Sequence, residues 1–154
     1  MSFSDKMRDS LGAEGARIEV APPTDTVAAG ATGELAVTIV GGTRAATIDG
    51  LFVRLVEATR HWVAEDGSII AESDAPPREE RKGLTAGWER KTVAELQVEV
   101  GHTVDPGQSH VVSVALPIPE ACQSSSVGCS HTVNVQADIK GQIDPTGNAR
   151  VTLA

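Results

Sequence analysis

Apolar and polar residues alternate along most of the chain. Between 33 and 41, Leu35, Val37 and Ile39 fall on one face, with Thr38 opposite. Between 47 and 63, Leu51, Val53 and Leu55 share a face, and Phe52, Arg54, Val56 and Ala58 take the other. Between 88 and 100, Ala94, Leu96, Val98 and Val100 alternate with Glu95, Gln97 and Glu99. Between 109 and 118, Val112, Val114, Leu116 and Ile118 alternate with Ser113 and Ala115. Between 130 and 142, Val133, Val135, Ala137 and Ile139 alternate with Thr132, Asn134, Gln136 and Asp138. A period of two puts neighbouring side chains on opposite faces of a strand, so each segment predicts a strand with one buried and one wet face. Shorter strands are expected at 17–21 and 149–153.

Turn residues stand between these segments: Ala29-Gly30, Gly41-Gly42, Asp66-Gly67, Asp105-Pro106-Gly107 and Asp144-Pro145-Thr146-Gly147. Seven or so strands with no helix between them predict an all-β fold of two packed antiparallel sheets, an immunoglobulin-like sandwich. The widest gap, 66–84, holds Pro76-Pro77 and the mixed-sign run Arg78 to Lys82. It reads as a long exposed loop with room for a short strand at Ser68–Ala71. No internal repeat appears, and 1–154 reads as one domain.

The first residues follow a different period. Phe3, Met7 and Leu11 are spaced four apart and would share one face of a short amphipathic helix over 1–14. Ser2 or Ser4 could cap it, and Gly12 and Gly15 would end it. So short a helix is marginal alone and is expected to dock on the domain's own sheet. The competing reading is that Phe3, Met7 and Leu11 form a contact for a partner or a membrane surface, aided by Lys6 and Arg8.

Composition narrows the function classes. At 154 residues the chain is long enough for one real core. Thirteen Lys and Arg against 21 Asp and Glu give a net charge of −8, which repels phosphate backbones and argues against a nucleic-acid partner. Only Phe3, Phe52, Trp62 and Trp88 are aromatic, too few to suggest stacking on bases or sugars. No apolar signal segment opens the sequence and no apolar run is long enough to span a membrane, so a cytoplasmic location is expected.

Cys122, Cys129 and His131 are the first candidates for chemistry. Their spacing fits no common zinc ribbon or finger, and a metal centre would need a further ligand from His61, His102 or His110. Reduced thiols flanking the Ser-rich stretch Gln123 to Gly128 are the expected state, with a disulfide closing that loop as the alternative. None of the four histidines sits in a recognisable catalytic frame. The carboxylates Asp49, Glu57, Glu65, Asp66, Asp74, Asp138 and Asp144 are scattered, and their spacing favours no acid–base pair. No catalytic residue, metal or cofactor is therefore predicted.

Three segments carry a resemblance. They are SFSDKMRDSLGAEGARIEV (2–20), IDGLFVRLVEATRHW (48–62) and VGHTVDPGQSHVVSVALPIPEACQSSSVGCSHTVNVQADIKGQIDPTG (100–147). The last runs from an acid-rich strand through a Pro-Gly turn to a strand ending in Pro-x-Pro. A Ser-rich loop follows, then a long strand reading Asp-Ile-Lys that closes on Asp-Pro-Thr. In this order the segments resemble the sporulation-control proteins of the stage-zero sporulation M family. The resemblance implies an arrestin-like fold, of which this chain would supply the N-terminal lobe only.

It also implies a non-enzymatic regulator or scaffold, acting through protein–protein contacts in sporulation or cell-cycle control. Residues where the family usually has aromatics differ here: His102, Gln136-Ala137 and Gly141-Gln142. If the second lobe is missing, the strand Ala149–Leu153 is expected at a bare sheet edge. Arg150, Val151, Thr152 and Leu153 then become candidates for strand addition, either by a partner or by a second copy. The competing function is a small cytoplasmic enzyme or ligand-binding sandwich with an acidic or histidine site.

Overall fold

Eight strands account for most of residues 15–154, the part of the chain that the computed structural model describes. They are β1 (Arg17–Ala21), β2 (Thr32–Val40), β3 (Ala46–Val63), β4 (Ile69–Ala71), β5 (Thr85–Val104), β6 (Ser109–Pro117), β7 (Cys129–Ile139) and β8 (Thr146–Val151). The helix expected over Phe3, Met7 and Leu11 lies outside the described residues.

The strands make two sheets, with every strand pairing antiparallel. One has the order β1-β2-β6. In the other, β3 is central: β5 runs along one side, while β7 and then β4 share the other, and β8 pairs with β7. The core between the sheets is aliphatic. Leu35, Val37 and Ile39 of β2 face Leu51, Val53 and Leu55 of β3 and Val133 and Val135 of β7, all buried. These are the alternating residues read from the sequence.

The alternation breaks near the start of β3, and the register against β5 slips again between Leu55 and Val56. Ile48 and Leu51 are both buried although they are three apart. The register slips between Ile48 and Gly50 against both β5 and β7, which flips the inward set from even to odd positions. Gly50 makes the slip sterically feasible, since a Cβ there would sit 2.9 Å from the Val98 carbonyl oxygen. Across from it Gly101 takes φ +57°, a conformation that L side chains rarely adopt.

The 66–84 region is more structured than a plain loop. Ile69–Ala71 forms β4 and pairs with His61–Val63, and two single 3-10 turns follow at Glu72–Asp74 and Arg78–Glu80. Beyond β8 the chain folds back over the core. Val27 N–H donates to Thr152 O at 3.0 Å and Ala154 N–H to Val27 O at 2.8 Å. Ser125 N–H donates to Leu153 O at 3.0 Å, and Leu153 N–H to Ser125 Oγ at 2.9 Å. Residues 152–154 are thus held by two of the chain's own loops.

Candidate functional site

The outer face of the larger sheet carries two chemically different ends. Arg60 and Trp62 lie two apart on β3 and so share that face, and Trp88 of β5 stands opposite Arg60. Arg60 Nε donates to Glu72 Oε2 at 2.8 Å, its Nη2 donates to Oε1, and Trp62 Nε1 donates to the same Oε2 at 2.9 Å. The guanidiniums of Arg60 and Arg81 each lie 4.9 Å from the Trp62 ring centroid, and Arg60 lies 6.0 Å from that of Trp88. Cation–π attraction and a forked ion pair therefore fix the side chains at this end. The hydrogen bond from Arg60, opposed in part by burial, holds the Glu72 carboxyl below its ordinary range.

Beside this cluster is a hollow of about 290 Å³, lined by Trp88, Arg90, Val127, Ser130 and Arg150 among others. Trp88 is 43% exposed and Val127, at the tip of the 122–129 loop, is 80% exposed. At the other end of the same face a hollow of about 470 Å³ is lined by Phe52, Asp49, Glu99, Asp138 and Asp144. The face thus runs from aromatic and basic to acidic.

Beneath the basic end lies a buried polar cluster. Glu57 follows Leu51, Val53 and Leu55 on the inward side of β3, and His131 of β7 stands opposite it. His131 Nε2 is 2.9 Å from Glu57 Oε2, its Nδ1 is 2.8 Å from Ser125 Oγ, and Cys129 Sγ is 3.9 Å from Nε2. Gln123 N–H donates to Glu57 Oε2 at 3.2 Å. His131, Glu57, Cys122 and Cys129 are all buried. Both thiols are free. Burial pushes both thiols up from their ordinary value, and the Glu57 charge adds to the rise.

Of the residues singled out from sequence, Cys129 and His131 meet, and Cys122 lies near enough to feel the charges of Glu57 and Cys129. The other histidines do not join them. His61 packs over Gly87, while His102 and His110 stack at 3.9 Å where β5 meets β6. Val151 and Leu153 are core residues, whereas Arg150 and Thr152 are exposed. Phe3, Met7 and Leu11 lie outside the described residues. Glu57 was legible only as one of several scattered acids, yet its phase with Leu51, Val53 and Leu55 marks it as inward. Ser125 and the Arg60–Glu72–Trp88 contacts needed the register and the loop path.

A model of the family described as "Spo0M: SpoOM protein" matches residues 4–153. No curated protein matches the sequence. Among solved structures, Spo0M, the sporulation control protein of Bacillus subtilis, overlaps with a TM-score of 0.67 at 18% identity. The overlap covers 90% of this chain and 49% of that one, so this chain spans about half its length. The CARDB domain of the PF1109 protein from Pyrococcus furiosus, a complex with di-metal ions, gives 0.43 at 12% identity, covering 90% and 87%. BslA, a bacterial hydrophobin, gives 0.41 at 7%, covering 91% and 95%. The last two overlaps are too loose to inform function.

Proposed function

The chain belongs to the SpoOM protein family, and on that premise we propose that it is a non-enzymatic regulatory module that binds a protein partner at the tryptophan–arginine end of its outer sheet face. The observation that carries this is the hollow between Trp88 and Val127 with Arg90 and Arg150 on its rim. An exposed tryptophan and two arginines beside an exposed valine have the composition of interface hot spots. On a chain of net charge −8, a basic hollow selects for a partner segment that carries an apolar residue flanked by carboxylates. An arrestin-like lobe serving as a scaffold in the cytoplasm, in sporulation or division control, is the setting in which this reading makes most sense.

The non-enzymatic side of the reading rests on Ser125. Its Oγ faces His131, which in turn faces Glu57, an arrangement that could be mistaken for a hydrolytic triad. That oxygen already accepts the Leu153 N–H, and the adjacent hollow is lined by Ser126, Val127 and Ser130 instead.

Quantitative crosslinking in the source cell tests the proposal. Proteins captured by the wild type should be lost with Trp88→Ala plus Val127→Ser, and kept with Phe52→Ala at the acidic end. Equal capture by both variants would sink it.

A further inference from the structure

We infer that Glu57, Cys129 and His131 form a three-ligand divalent-metal site of the zinc type, built into the inner face of the larger sheet beneath the 122–129 loop, with water and not a further histidine in the fourth position. Sheet geometry brings the three together. Cys129 and His131 are two apart on β7 and share its inward face, and Glu57 stands directly across from His131 on β3. Their donor atoms, one each of sulfur, nitrogen and oxygen, all lie within 4.8 Å of one another, and all three residues are buried.

Bonds of about 2.0–2.3 Å to one zinc ion require donors roughly 3–4 Å apart. The observed 2.9 Å from His131 Nε2 to Glu57 Oε2 and 3.9 Å from Cys129 Sγ to Nε2 need only small adjustment. One carboxylate, one thiolate and one neutral imidazole balance a divalent charge, so the filled site is electrically neutral and tolerates burial. A mixed set of this kind suits zinc better than the hard oxygen-seeking cations.

The outer shell is also present. Ser125 Oγ lies 2.8 Å from His131 Nδ1, and Gln123 N–H holds Glu57 Oε2. On binding, the Cys129 thiol proton leaves to solvent. In the tautomer that binds metal, the neutral imidazole carries its proton on Nδ1, which donates a hydrogen bond to Ser125 Oγ and leaves the Nε2 lone pair for the metal. The loop that supplies Ser125 and the Gln123 N–H to the cluster is itself open to solvent, with Gln123, Ser124, Ser126 and Val127 exposed.

Cobalt titration of the full chain, stripped with chelator and kept reduced, tests the site. The expected result is saturation at one cobalt per chain with a thiolate-to-cobalt charge-transfer band, displacement of cobalt by zinc, and a thermal midpoint that zinc raises and chelator lowers. Cys129→Ser should abolish the band, while Cys122→Ser should keep it. Absence of one-to-one binding by the wild type overturns the proposal, whatever the folding of the variants. So does a band that survives Cys129→Ser or that vanishes with Cys122→Ser, which would move the site to other ligands.

Discussion

As pH falls, Glu72 is a side chain whose loss of charge should loosen the basic end of the outer face. Its carboxyl is held below the ordinary value of 4.5 by Arg60, so the stabilisation is fully present above that value and lost as pH drops through the lower folded one. Glu72→Gln should remove this part of the acid limb from a plot of stability against pH. At pH 7 it should cost about 1 kcal/mol by urea unfolding, the range for a partly exposed, hydrogen-bonded pair. The thiols behave oppositely. Burial raises both, so ionisation is disfavoured in the fold, and stability should fall as pH rises above the ordinary value of 9.0 toward the higher folded one. Iodoacetamide at pH 8 should therefore label Cys122 and Cys129 far more slowly in the native chain than in urea, as mass spectrometry will read. At this scale the sequence was only half informative. Cys129 and His131 were visible as a pair, but Glu57 became their neighbour only once β3 and β7 were set in register.

Strand identity was legible because an aliphatic face and a polar face leave an unambiguous period of two. Leu35, Val37 and Ile39 on β2, and Val133 and Val135 on β7, are buried as that period requires. What the period could not carry was the slip at Ile48 and Gly50, because a bulge moves the inward set by one residue without changing composition. Gly50→Ala would press a Cβ to 2.9 Å from a backbone oxygen and should cost about 1–3 kcal/mol, a typical overpacking penalty. Gly101→Ala, forced to φ +57°, should cost about 1–2 kcal/mol. Both are read from urea midpoints, and loss well under 0.5 kcal/mol at Gly50 would mean that the bulge can relax. β4 falls inside the short strand read at Ser68–Ala71; what three residues could not show was its partner, because the pairing comes from the overhang of β3 beyond β7.

Across the whole molecule, the two-sheet architecture was predictable from strand count and turns, whereas the polarity of the outer face was not. It depends on which residues of β3, β5, β7 and β8 line up, a matter of register. The sealing of the sandwich by residues 152–154 was likewise hidden, and Val151 and Leu153 prove to be core residues. Ending the chain after Val151 removes Leu153 and the hydrogen bonds to Val27 and Ser125. It should cost at least about 3 kcal/mol by analogy with emptying a buried leucine site, or roughly 6–12 °C in thermal midpoint for a chain of this size. An unchanged midpoint would show that this closure is not structural. The same closure imposes an order on synthesis. Val27 leaves the ribosome early and must wait for its bridge partner Leu153 until nearly all of these residues have been made. β2 likewise waits for β6, and β3 for β7. Until then the half-made sheets expose unpaired edges, so the nascent chain is a natural client for chaperones, and the closure of this sandwich waits until residue 153 has left the ribosome.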